Sequence, residues 1–265
     1  MKTFYRNIFF IATISIALIS CDDQSSTNSD LDLLEIQTVV HENHTVTLSA
    51  LKPLETGYNR LFWSISQNGE TEIVDSVSIT PLMTMTDHTH ACPFEKPFSS
   101  IEAHGKHEGY VIFNMPSGMM GSWNIKSTFW LRNQIKIETD IPVSVLNSWK
   151  LQSFSANGTK YFVSWVSPEQ PIVGKNTVRL FLHKKGTMMH FPSTNDFDLS
   201  LYPYMDMGGG EGHSAPFEQL QAIGNGVFEG SISYSMSGDW QISVNALEAD
   251  TTLASVVFNM NVISK

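Results

Sequence analysis

The chain has 265 residues, 42% of them hydrophobic, and a formal net charge of −10 at pH 7. That acidity argues against nucleic acid as a partner and against adhesion to anionic lipid through a basic patch. With only two cysteines, Cys21 and Cys92, there is no disulfide framework, so the fold must rest on its core.

In chain order, the first segment is a leader. Lys2 and Arg6 form a positive n-region, and residues 8–19 make an apolar stretch too short for a comfortable membrane span. It ends in Leu18-Ile19-Ser20-Cys21, which resembles the lipobox of bacterial lipoproteins. The resemblance implies that residues 1–20 are a lipoprotein signal peptide and that Cys21 is lipidated. Loss of Lys2 and Arg6 would take the net charge from −10 to −12. Residues 22–30 are polar and lack any apolar period, so residues 21–34 read as a flexible tether. No second stretch approaches eighteen apolar residues, which predicts a membrane-anchored rather than a spanning protein. The expected location is the bacterial cell envelope, on the periplasmic face of a membrane or at the cell surface.

After the tether the pattern is short and alternating. Residues 38–40, 45–48, 111–113, 231–234 and 256–263 fit strands, separated by Gly, Asn and Pro clusters such as Gln67-Asn68-Gly69 and Lys184-Lys185-Gly186. No segment sustains a 3.6-residue apolar period with caps. Roughly seven short strands per unit predict an all-β protein of immunoglobulin-like sandwiches.

One passage occurs twice. Residues 81–95 read Pro-Leu-Met-Thr-Met-Thr-Asp-His-Thr-His-Ala-Cys-Pro-Phe-Glu. Residues 203–218 repeat Pro203, Met205, Met207, His213 and Pro216-Phe217-Glu218 at matching places. The offset is 122 residues at the proline and 123 from the histidine onward, so one residue is inserted between them. Flanking segments repeat too: Gly121-Ser122-Trp123 corresponds to Gly238-Asp239-Trp240. The duplication predicts two tandem domains, 35–147 and 148–265.

A Pro-x-Met-x-Met stretch, a histidine, a proline three later and a strand closing near Met-x-Gly-x-Trp resemble the YtkA-like family, related to FixH-like proteins. The resemblance implies small extracytoplasmic β-sandwich domains and a link to copper handling and oxidase assembly. Family members often pack Met and His as Met-x-Met-Met-Gly-His. This chain has Thr86-Asp87-His88 and residues 208–212 at that place instead.

The residue types point to the same metal. Residues two apart on a strand face one side, so Met83 and Met85 project together, as do Met205 and Met207. Thioether sulfur is soft and neutral and selects Cu(I) over calcium, magnesium or zinc. The candidate ligands are Met83, Met85, His88 and His90 in the first unit and Met205, Met207 and His213 in the second. Cys92, Met119, Met120 and Met236 are additional candidates. A second reading stays open: alternating methionines on a proline-bracketed edge strand also fill a sandwich core, with Met119, Met120 and Met236 packing on Trp123 and Trp240, and Cys92 inert. His104 and His107 read as an exposed loop, His41 and His44 lie close to the domain start, and Met188-Met189-His190 is a third Met/His cluster near a hairpin.

No G-x-S-x-G elbow, P-loop, dinucleotide fingerprint or C-x-x-C is present, so no enzyme is expected. The expectation is a lipid-anchored protein that binds Cu(I) for buffering, resistance or delivery. Its partners would be the membrane, through the anchor, and a copper acceptor or another envelope protein; no small organic substrate is implied. The alternative is a non-enzymatic immunoglobulin-like binding or structural module whose Met/His motif is core packing.

Overall fold

A computed structural model describes residues 31–99 and 105–264. The leader, Cys21, most of the tether and His104 lie outside the described residues. All regular structure among the described residues is β, in two sandwiches. No helix among them is long and apolar enough to cross a membrane.

The first sandwich contains β1 (Leu34–His41), β2 (His44–Ala50), β3 (Gly57–Gln67), β4 (Glu70–Thr71), β5 (Val74–Thr84), β6 (Thr89–Ala91), β7 (Phe98–Ser99), β8 (His107–Phe113), β9 (Ser122–Leu131) and β10 (Lys136–Val143). One sheet runs β1-β2-β3-β8-β7, with β4 paired to β3; the other runs β10-β9-β5-β6. The second sandwich contains β11 (Leu151–Ala156), β12 (Thr159–Ser167), β13 (Gly174–Lys184), β14 (Asp198–Gly208), β15 (Glu211–His213), β16 (Phe217–Gly224), β17 (Val227–Tyr234), β18 (Gly238–Glu248) and β19 (Thr251–Val262). Its sheets run β11-β12-β13-β17-β16 and β15-β14-β18-β19. The two orders superimpose strand for strand once β4 is set aside. All ladders are antiparallel, as hairpin and Greek-key connections require.

Alternation explains the packing. Along β9, Trp123, Ile125, Phe129 and Leu131 point inward; along β18, Trp240, Ile242, Val244 and Ala246 do the same. Each set joins a separate buried cluster formed by the two sheets of its own sandwich. Tight hairpins use Asn-Gly pairs with both φ angles positive: Asn68-Gly69, Asn157-Gly158 and Asn225-Gly226. Two sequence expectations are corrected. Ile263 falls outside β19 and makes an isolated bridge to Ile172. β5 is not an edge strand along its whole length, because β6 pairs with its last residues.

The sandwiches are joined at two places. At the junction, Lys150 pairs with Glu55 at 2.9 Å and with Glu169 at 2.8 Å, and Lys52 pairs with both carboxylates. Burial alone would lower the Lys150 pKa, but hydrogen bonds to Glu169 and Glu55 outweigh it and raise it. Burial pushes Glu55 and Glu169 up, and their lysine partners more than reverse this. Beyond the junction, Tyr58 on β3 and Tyr110 on β8 meet Phe181 on β13 edge-on, with ring centroids 5.6 and 5.3 Å apart. Burial there raises the Tyr58 pKa to about 12 and lowers that of His183 to about 4. A small apolar cluster of Ala91, Phe162 and Phe191 continues the contact to the end of β6.

Candidate metal-binding site

The first copy of the repeated passage is built on three strands. Met83 on β5 lies opposite His90 on β6 and opposite Trp123 on β9. The Met83 side chain is fully buried in the first core. His90 is also buried, and its ring meets Trp123 edge-on at 5.6 Å. Its Nδ1 lies 2.8 Å from the Ala91 carbonyl oxygen. A carbonyl only accepts, so Nδ1 carries the hydrogen and Nε2 keeps its lone pair. Metal-ligating histidines are commonly oriented by such a bond from the other ring nitrogen.

Past the end of β5 the chain turns. The Met85 backbone N–H donates to the His88 carbonyl at 2.9 Å, and Met85 is left half-buried. The His88 ring sits 5.9 Å from that of His90, and its Nδ1 donates to Asp87 at 2.6 Å. That hydrogen bond holds the exposed Asp87 carboxyl below its ordinary value. Met85, His88 and His90 open on a cavity of about 210 Å³ between the two sandwiches. Met115 lines it from the first sandwich, and Met188, Phe162 and Phe191 line it from the second. Asn114 and the exposed Lys160 and Lys185 also line it. The potential donors in the lining are three thioethers and two imidazoles, beside Asn114, Phe162 and Phe191, a set suited to a soft monovalent cation. Among the described residues, no group of three or more His, Cys, Asp or Glu side chains is placed to hold a metal.

The second copy keeps the frame and loses the surround. Met205 on β14 lies opposite His213 on β15 and is buried; His213 meets Trp240 edge-on at 5.2 Å. The His213 Nδ1 donates to the Ser214 carbonyl at 3.2 Å, and its Nε2 is buried with no partner among the described residues. Met207, however, is 58% exposed on the strand leading into the residue 208–210 turn. All three glycines of that turn have positive φ.

The other expected positions divide. Cys92 is buried in the first core, where desolvation pushes its pKa well up and leaves an unreactive thiol. Met119, Met120 and Met236 do not pack on the core tryptophans: they are 103%, 59% and 41% exposed. The reason lies in the turn before each tryptophan. Trp123 Nε1 donates to the Met115 carbonyl at 2.9 Å, and Trp240 Nε1 to the Met236 carbonyl at 3.2 Å. Met115 is therefore the counterpart of Met236, and residues 118–120 loop outward beyond it. Phe113-Asn114-Met115 against Tyr234-Ser235-Met236 was the available signal for this pairing. His107 is also buried, on β8 opposite Trp63, rather than on an exposed loop. His44 is buried, and His41 faces solvent at the β1–β2 turn.

A YtkA-like family model matches residues 155–245, which span most of the second sandwich. No curated protein matches the chain. Solved structures it is similar to include the Escherichia coli adhesin FdeC, at 13% identity over 87% of this chain and 66% of that one, with a TM-score of 0.27. Domains 4–9 of the surface layer protein SbsC share 12% identity over 86% of this chain and 32% of that one, with a TM-score of 0.31. The D00–D0 domain of intimin shares 9% over 80% and 98%, with a TM-score of 0.23. The chain spans just under two thirds of the first of these and a third of the second, and the likeness goes no further than β-sandwich character.

Proposed function

We propose that the protein is a non-enzymatic Cu(I)-binding module of the bacterial cell envelope, tethered through a lipid on Cys21. Met85 and His90 would be the central ligands, with His88 and Met115 beside them. The observation that carries this reading is the fixed tautomer of His90, whose free Nε2 belongs to a residue lining the same cavity as two thioethers of its own sandwich. Met83, fully buried behind this surface, supports the site by packing.

The chemistry suits exchange rather than storage. Neutral thioethers leave the ion's charge largely uncompensated, so transfer to an anionic thiolate acceptor runs downhill. The acceptor would be another envelope protein. Protonation of the imidazole competes with the ion, so affinity falls with acidity.

The test is an anaerobic Cu(I) titration of the chain lacking residues 1–21 against a chromophoric chelator. Tight binding that disappears in Met85→Leu/His90→Gln supports the reading. No competition at any ratio leaves the second reading, an immunoglobulin-like binding or structural module. The burial of Met205 and the exposure of Met207 favour that role for the second copy.

A further inference from the structure

The two sandwiches repeat each other closely, and one departure from the repeat lies against the candidate site. Between β3 and β5 the first sandwich has only residues 68–73; at the same place, between β13 and β14, the second has residues 185–197. The longer connection is well tied. Gly186 and Thr187 donate backbone N–H groups to the His190 carbonyl at 2.9 and 3.0 Å, closing a turn with Met188 at its tip. Lys185 N–H donates to the Lys160 carbonyl at 2.8 Å, holding the turn to β12. Across the gap, the Ala91 N–H donates to the Met188 carbonyl at 2.8 Å. Ala91 is the residue whose own carbonyl orients His90. Met188 is thus pinned by its backbone to the histidine-bearing strand, and its side chain lines the same cavity as Met85 and His90.

We infer that Met188 of the second sandwich is a ligand of the ion held by the first, so that the site is completed only when the two sandwiches are apposed. The inference rests on the Cu(I) reading above. It adds a bridging thioether and a structural consequence: occupancy ties residues 185–190 to β6. A thioether supplied across an interface costs no change in site charge and keeps the set soft.

The test uses the mature chain labelled with methyl-¹³C methionine, titrated with Ag(I) as a soft, redox-inert monovalent probe. A Met188→Leu variant, nearly equal in volume, assigns the Met188 methyl resonance and is also titrated with Cu(I). Met189→Leu, on the neighbouring exposed side chain, is the control. The expected result is that Met85 and Met188 methyls shift together to one endpoint, and that Met188→Leu weakens Cu(I) binding by roughly tenfold or more, with Met189→Leu unchanged. If Met85 responds while Met188 stays still and Met188→Leu binds like the parent, the bridging ligand is wrong and the Cu(I) site of the first sandwich stands. If no methionine methyl moves, both fall.

Discussion

The two copies of the repeated passage share one frame and differ in what surrounds it. In both, a buried methionine faces a histidine across a short ladder, and the histidine meets a core tryptophan edge-on. In the first copy Met85 and Met115 border an open cavity that the second sandwich also lines; in the second copy Met207 and Met236 are exposed. Duplication has preserved packing, while the cavity at the first copy depends on neighbours outside the duplicated passage.

Stability separates the frame from the surround most strongly. Met83→Ala and Met205→Ala each empty a core position and should cost about 2–5 kcal/mol, whereas Met207→Ala, at an exposed position, should fall within about 0.5 kcal/mol. Urea unfolding followed by tryptophan fluorescence measures this. A Met83→Ala variant as stable as the parent would remove the packing role assigned to Met83.

The equivalent glycines give a narrower contrast. A Cβ on Gly121 would sit 2.5 Å from the Thr84 carbonyl oxygen, while one on Gly238 would meet only the Met205 methyl at 2.7 Å. Both sites carry backbone strain of about 1–3 kcal/mol for alanine. At Gly121 the β5–β9 backbone must move as well, so Gly121→Ala should lower the unfolding midpoint further than Gly238→Ala. Equal midpoints would contradict the tighter first copy.

The junction cluster should contribute less, because Lys52 and Glu169 are partly exposed. Lys150→Met should cost about 1–2 kcal/mol, between the values for exposed and buried pairs. Its pH dependence has a definite sign. Glu55 and Glu169 have lowered pKa values, so their contribution is present above the ordinary carboxylate value of 4.5 and lost as pH falls below it. Lys150 has a raised pKa, so its share is present below 10.5 and lost as pH climbs past its folded value. The stability difference between parent and Lys150→Met should therefore shrink at acid pH; a constant difference from pH 3 to 7 would rule out the ion cluster as its source.

Much of the fold was legible because strands alternate with period two and the chain repeats itself. Trp123 and Trp240, Met83 and Met205, and Gly121 and Gly238 mark the same positions in two sandwiches. The site was legible only in part. Met85, His88 and His90 are local in sequence, so their proximity follows from one strand and one turn. Met115 was hidden because Met119 stands at the distance from Trp123 that Met236 keeps from Trp240, and only the indole hydrogen bonds reveal the longer first loop. Met188 stood out as part of a Met/His cluster, but nothing near it announces the site. Its place depends on how two sandwiches meet, through Tyr58, Tyr110 and Phe181, a tertiary contact no local pattern encodes.

The most direct test of the asymmetry is the Cu(I) stoichiometry of the mature chain and of two paired variants, Met85→Leu/His90→Gln and Met207→Leu/His213→Gln. The account predicts a single tightly held equivalent, lost in the first variant and retained in the second. Two equivalents per chain, or retention after the first pair of changes, would contradict it.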